Sequence, residues 1–200
     1  MNDKVYKLMV FMLFVVAGCM ATRFSDVWRD DSYRKGPVKD VLVIAILPNP
    51  ERSRMVEDEM AKQLKARGIS TVLSYVEFAG KPPSREDVVS RLGKFGVDSV
   101  LVTILSGKET KSYQDYPDDY KAVLKQWEEM GRVAAPSPTQ FSGNEPQTYA
   151  LMRTSLHDAE TQKVVWSALT ETWVVGMDSR LTSSFVSTVI ERLAEDKLIR

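Results

Sequence analysis

The sequence predicts a single α/β domain, built as a two-layer or three-layer sandwich, and three observations carry that prediction. Residues 41–47, VLVIAIL, form an unbroken apolar run ended by Pro48 and Pro50, as in a strand buried on both faces. Val56, Met60 and Leu64 then recur four apart and mark one face of a helix over residues 51–67. The strand-then-helix alternation continues to residue 105 with short connections, which implies parallel strands joined by right-handed crossovers.

The first helix has acidic residues early, Lys62, Lys65 and Arg67 late, and Gly68 as a stop, so its charges suit the helix dipole. A second strand is expected over 69–76. Pro82, Pro83 and Ser84 lead into a second helix, in which Ser84 and Asp87 can cap one another, Val88, Leu92 and Phe95 form the apolar face, and Gly96 ends the run. Residues 98–105, DSVLVTIL, read as a third strand.

Beyond residue 106 the pattern changes. Residues 107–146 hold Pro117, Pro136, Pro138 and Pro146 among several aromatics and read as an insertion. Within it Tyr120, Leu124 and Trp127 share one side of a short helix over 118–130. Either that face covers an edge or end of the sheet, or it binds a partner; Tyr116, Tyr120, Leu124 and Trp127 are the candidates for the second role. Residues 147–158 and 163–175 then read as two strands joined by a hairpin-length turn. Both sides of the second strand carry apolar residues, Val164, Trp166 and Ala168 on one and Val165 and Leu169 on the other, so part of each is expected to be covered. A terminal helix over 181–198 carries Phe185, Val189, Leu193 and Leu198 inward, with Asp178 or Ser179 as its cap. The expected order is β-α-β-α-β, insertion, β-β-α.

The first 18 residues have the parts of an export signal: Lys4 and Lys7, an apolar stretch over 8–16, then Ala17 and Gly18 before Cys19. Even extended to Ala21, the run spans about 21 Å as a helix, short of a hydrocarbon core of roughly 30 Å. Val16-Ala17-Gly18-Cys19 resembles the lipobox of bacterial lipoproteins, with Val16 where the family more often has Leu. That resemblance implies cleavage between Gly18 and Cys19, a diacylglyceryl group on the sulfur and an N-acyl chain. It also implies transport to the periplasmic side of the outer membrane, since Met20 rather than Asp follows the cysteine. Residues 19–38, rich in charge, read as the lipidated cysteine followed by a flexible tether, with Phe24 and Trp28 free to dock on the domain or at the lipid interface. Residues 39–200 are then the periplasmic domain, with its insertion at 107–146.

Charge balances at 27 basic against 27 acidic residues, without the basic footprint that nucleic acid demands. The one cysteine leaves nothing to pair in a disulfide. The loop 48–54 lacks the glycines of a phosphate loop, so no nucleotide is expected, although Arg52 and Arg54 beside a helix start can hold an anion. The single histidine, His157, precedes Asp158, but consecutive strand residues point to opposite faces, which argues against a dyad. A metal site is not expected, and acidic groups such as Glu57, Asp58 and Glu59, or Asp115, Asp118 and Asp119, read as solvated faces.

The phrases VLVIAILPNPERSR, AKQLKARGISTVLSY, LGKFGVDSVLVTIL and SLHDAETQKVVWSALTETW resemble small bacterial lipoproteins of unknown function. These are similar in layout to the curli secretion channel lipoprotein, the lipoprotein activator of a penicillin-binding protein, and the amino-terminal domain of the Tol-Pal translocation protein. The resemblance implies a mixed sheet of order 2-1-3-4-5, no cofactor beyond the covalent lipid on Cys19, and no catalytic residues. The expected role is a non-enzymatic adaptor or assembly factor that binds another envelope protein or itself. The alternative is a subunit of an oligomeric export channel.

Overall fold

The computed structural model describes residues 22–106, 118–134, 149–173 and 179–200. They form strands β1 (Thr22–Arg29), β2 (Asp40–Ile46), β3 (Ser70–Leu73), β4 (Ser99–Ser106), β5 (Tyr149–Asp158) and β6 (Val164–Trp173). The helices are α1 (Pro50–Ala66), α2 (Ser74–Glu77), α3 (Arg85–Phe95), α4 (Asp118–Ala134) and α5 (Ser179–Glu195). One mixed sheet has the order β1-β6-β5-β4-β2-β3. Numbered from β2 and read from the other edge, this is the expected 2-1-3-4-5 order with β1 added. β2 runs parallel to β3 and β4, while β4, β5, β6 and β1 are successively antiparallel.

The path through α1 leads from β2 outward to the edge strand β3, and the path through α3 leads back across β2 to β4. Two right-handed crossovers of opposite direction place their helices on opposite faces of the sheet. α1 packs on α5, and α3 packs on α4, which makes three layers. Between them Leu42, Ile44 and Ile46 of β2 and every residue of β4 are buried. Each such large aliphatic side chain contributes about 1.5–3 kcal/mol.

The helix ends follow the local chemistry. The Asn49 side chain accepts a hydrogen bond from the Glu51 N–H with Pro50 at the first helical position. Ser84 and Asp87 form a reciprocal capping box, and Gly96 closes α3 at φ 64°. Nothing lies within 4 Å of a Cβ built on Gly96, so a Gly96→Ala variant should lose only the left-handed backbone preference, about 1 kcal/mol. A urea titration reads that loss as a lowered midpoint with an unchanged slope.

Two expectations are corrected. Of the expected tether over 19–38, the described residues 22–38 are not free: β1 occupies Thr22–Arg29 and extends the sheet along β6, with a bulge between Phe24 and Asp26. Phe24 and Val27 pack against the core while Arg23 and Arg29 stay exposed, so charges on the open side of an edge strand masked its alternation. Phe24 thus docks on the domain, where the Arg192 guanidinium lies 5.9 Å from its ring centre. The following segment is fixed as well, with the Asp30 side chain accepting from the Ser32 N–H and the Val38 N–H donating to the Leu198 carbonyl.

The second correction concerns 69–76, where β3 is only four residues long and the chain turns at Ser74 into α2. Beyond Val43 the edge of β2 therefore has no strand beside it. Helix α1 supplies the missing acceptors: Glu57 Oε1 accepts from the Ala45 N–H at 2.9 Å, and Ser53 Oγ accepts from the Leu47 N–H at 3.0 Å. One helical turn rises about 5.4 Å and two strand residues about 6.6 Å, so the two periods match over this short span. Glu57, expected on a solvated face, is 1% exposed. It also accepts from the Ser74 hydroxyl at 2.6 Å and the Tyr75 N–H at 3.2 Å, which pins the β3–α2 turn to α1. Burial pushes its carboxyl up to about 7 even though these donors pull the other way.

Candidate functional site

A groove of about 640 Å³ opens at the end of the sheet where β2 and β4 begin and β5 ends. Its walls come from three places in the chain: Tyr33 to Lys39 ahead of β2, the last turn of α3 through Asp98, and the turn after β5. Gly36, at φ 83°, lets the first wall bend before Pro37. Asp98 joins the walls, because its carboxylate accepts from the Lys39 N–H at 2.9 Å and its carbonyl accepts from the Ala159 N–H at 2.9 Å.

Lys35 bridges the rim. Its ammonium lies 2.8 Å from Asp158 and 2.5 Å from Glu160, and donating to them raises its pKa further above the usual lysine range. Burial alone would raise the pKa of Asp158, but the Lys35 ammonium and the N–H and hydroxyl of Thr161 bring it below the ordinary carboxylate value. Tyr33 moves upward through burial and the nearby charges of Asp158 and Asp98. Lys35, Asp158 and Glu160 of the rim are thus paired with one another.

Behind one wall lies His157, which is 4% exposed. Its Nε2 is 2.9 Å from the Ser155 hydroxyl, and the Trp127 ring meets it edge-on at 5.6 Å. Burial, then the charge of Arg85, lowers its pKa to about 4, so the ring is neutral near pH 7. Asp158 spends its oxygens on Lys35 and Thr161, so the sequence neighbours His157 and Asp158 form no dyad.

Of the residues singled out as a partner surface, Leu124 is 0% and Trp127 4% exposed. This corrects their assignment: they hold α4 to the sheet, with the Trp127 indole N–H donating to the Pro83 carbonyl at 3.1 Å. Tyr120 lies on α4, whereas Tyr116, Gly18, Cys19, the signal segment 1–18, Asp178, and 107–117 and 135–148 of the insertion lie outside the described residues. Among the described residues no group of three or more His, Cys, Asp or Glu side chains is placed to hold a metal. The groove itself escaped sequence reading. Its only local signal is the Gly36-Pro37 turn, and Lys35 meets Asp158 across 123 positions of chain.

No protein-family model and no curated protein matches the chain. Among solved structures it is similar to a PelC dodecamer from Paraburkholderia phytofirmans, at 17% identity and TM-score 0.45, covering 90% of this chain and 97% of that one. A point variant of that PelC dodecamer aligns at 16% identity and TM-score 0.45, over 86% of this chain and 97% of the other. The lipoprotein GNA1162 from Neisseria meningitidis aligns at 15% identity and TM-score 0.40, over 78% of this chain and 96% of the other.

Proposed function

We propose that this chain is a non-enzymatic lipoprotein of the bacterial envelope, anchored through Cys19 at the periplasmic side of the outer membrane, and that it works as an adaptor or assembly factor. The observation that carries the reading is Cys19 itself, which follows Val16-Ala17-Gly18 at the end of an apolar run preceded by Lys4 and Lys7. Several acyl chains at roughly 0.8 kcal/mol per buried methylene hold such a protein to its membrane almost permanently. The internally paired charges around the groove support binding over catalysis, and with Leu124 and Trp127 buried, the groove rim at Lys39 and Glu160 is the surface on which we place partner contact.

The intact mass of the protein extracted in detergent tests the anchor. A chain beginning at Cys19 and heavier than its polypeptide by the diacylglyceryl and N-acyl groups is expected. A chain that begins at Met1, or one with no added mass, overturns the reading. Photo-crosslinkers at Lys39 and Glu160 in cells should capture another envelope protein or a second copy. A large ring in detergent would instead establish the alternative of an export-channel subunit.

A further inference from the structure

The start of β1 fixes how the domain stands on its membrane. Cys19 precedes Thr22 by three residues, a reach of at most about 11 Å even when fully extended. Half the difference between a bilayer with its headgroups and its hydrocarbon core is about 5–8 Å. Acyl chains on Cys19 would therefore leave Thr22 only a few ångströms above the headgroups. Thr22 is no loose end, since it is 1% exposed and pairs with Thr172 near the end of β6.

The sheet topology decides what else comes down with it. β1 begins at the end of the sheet where β2, β4 and β6 finish and where α1 and α5 start. The residues that open β1, α1 and α5 and close β6 include Arg23, Arg52, Arg54 and Arg180 against Glu51 and Glu171. At these termini, among the described residues, four arginines stand against two carboxylates, with Arg23 and Glu171 paired to one another, and the remaining surplus suits phospholipid phosphates. The groove lies at the other end, about 25 Å away along the eight residues of β1.

Resting on the lipidation of Cys19, we propose that this arginine-bearing end of the sheet lies against the phospholipid surface that holds the acyl chains, and that the groove faces away from it. The partner of the first surface is the anchoring bilayer; the second is left open to soluble or neighbouring proteins. The domain stands on its membrane with little play, because the strand consumes the chain that a tether would need.

Lipidation occupies the one native thiol, so a cysteine introduced into the full-length lipoprotein can be labelled alone. Glu51→Cys on the first turn of α1 and Glu160→Cys at the groove rim, both exposed positions, are each labelled with a fluorophore. Each is reconstituted into vesicles of phosphatidylethanolamine and phosphatidylglycerol containing a headgroup spin-labelled quencher lipid. Quenching several-fold greater at position 51 is expected, and inserting ten Gly-Ser residues between Met20 and Ala21 should narrow the difference to what the arginines hold without the short tether. Equal quenching at both positions, or greater quenching at position 160, in the protein without the insertion overturns the orientation. Intact mass on the same samples separates the two claims: acylated protein with equal quenching rejects the orientation alone, and unacylated protein rejects the anchor and the orientation together.

Discussion

A Glu57→Gln variant should gain about 3 kcal/mol of folding stability as pH rises from about 4 to about 6.5, whereas the parent protein should change far less over pH 4.5–6.5. Two buried groups titrate in opposite senses. The folded Glu57 carboxyl stands at about 7 against an ordinary 4.5, so its contribution is full below about 4.5 and lost as pH rises through 7. The folded His157 ring stands at about 4 against 6.5, so its contribution is full above 6.5 and lost as pH falls through 4. Each displacement corresponds to about 3 kcal/mol, and across pH 4.5–6.5 the two slopes cancel. Glutamine keeps a carbonyl oxygen for the Ala45 N–H and Ser74 hydroxyl but cannot ionise, which leaves the histidine slope exposed. Urea midpoints at pH 4.5, 5.5 and 6.5 measure it, and a flat profile for the variant would rule out this compensation.

Trp127→Ala should cost about 3–5 kcal/mol, the range for truncating a buried tryptophan. The indole is 4% exposed, lies edge-on to His157, and donates its N–H to the Pro83 carbonyl. It joins α4 to β5 and to the turn before α3, so its loss loosens a whole layer of the sandwich. Trp127→Phe restores most of the volume without the hydrogen bond and should cost about 1–2 kcal/mol. Urea or thermal unfolding separates the roles of this side chain. A core residue lowers stability in the order Phe then Ala, whereas a partner anchor would leave the stability of the isolated protein unchanged.

Periodicity made most of the fold legible. The continuous apolar run of β2, the four-residue spacing in α1, the Ser84–Asp87 box and the Gly96 stop each act over a few residues, and each stands where the sequence placed it. β1 was hidden because an edge strand buries only part of its surface, and Arg23 and Arg29 on its open side resemble the charges of a solvated linker. Glu57 carried a readable signal, a carboxylate beside Val56 and within the apolar stripe of α1. Its meaning depended on β3 stopping early and leaving the Ala45 N–H to be satisfied. For Leu124 and Trp127 the helical face was visible, but which surface it met was not.

By itself the sequence determined the alternation of strands and helices after residue 39, apart from the early end of β3 and the turn into α2, while resemblance implied the order of those strands in the sheet. Those follow from side-chain chemistry along a few consecutive turns or pleats, where neighbours in the chain are neighbours in space. Tertiary structure alone decided that β1 closes on β6, that Glu57 and His157 are buried, and that Lys35, Asp98 and Asp158 line one groove. Such contacts join residues tens to more than a hundred positions apart, and whether a charge there is solvated or enclosed depends on the packing of the whole sandwich.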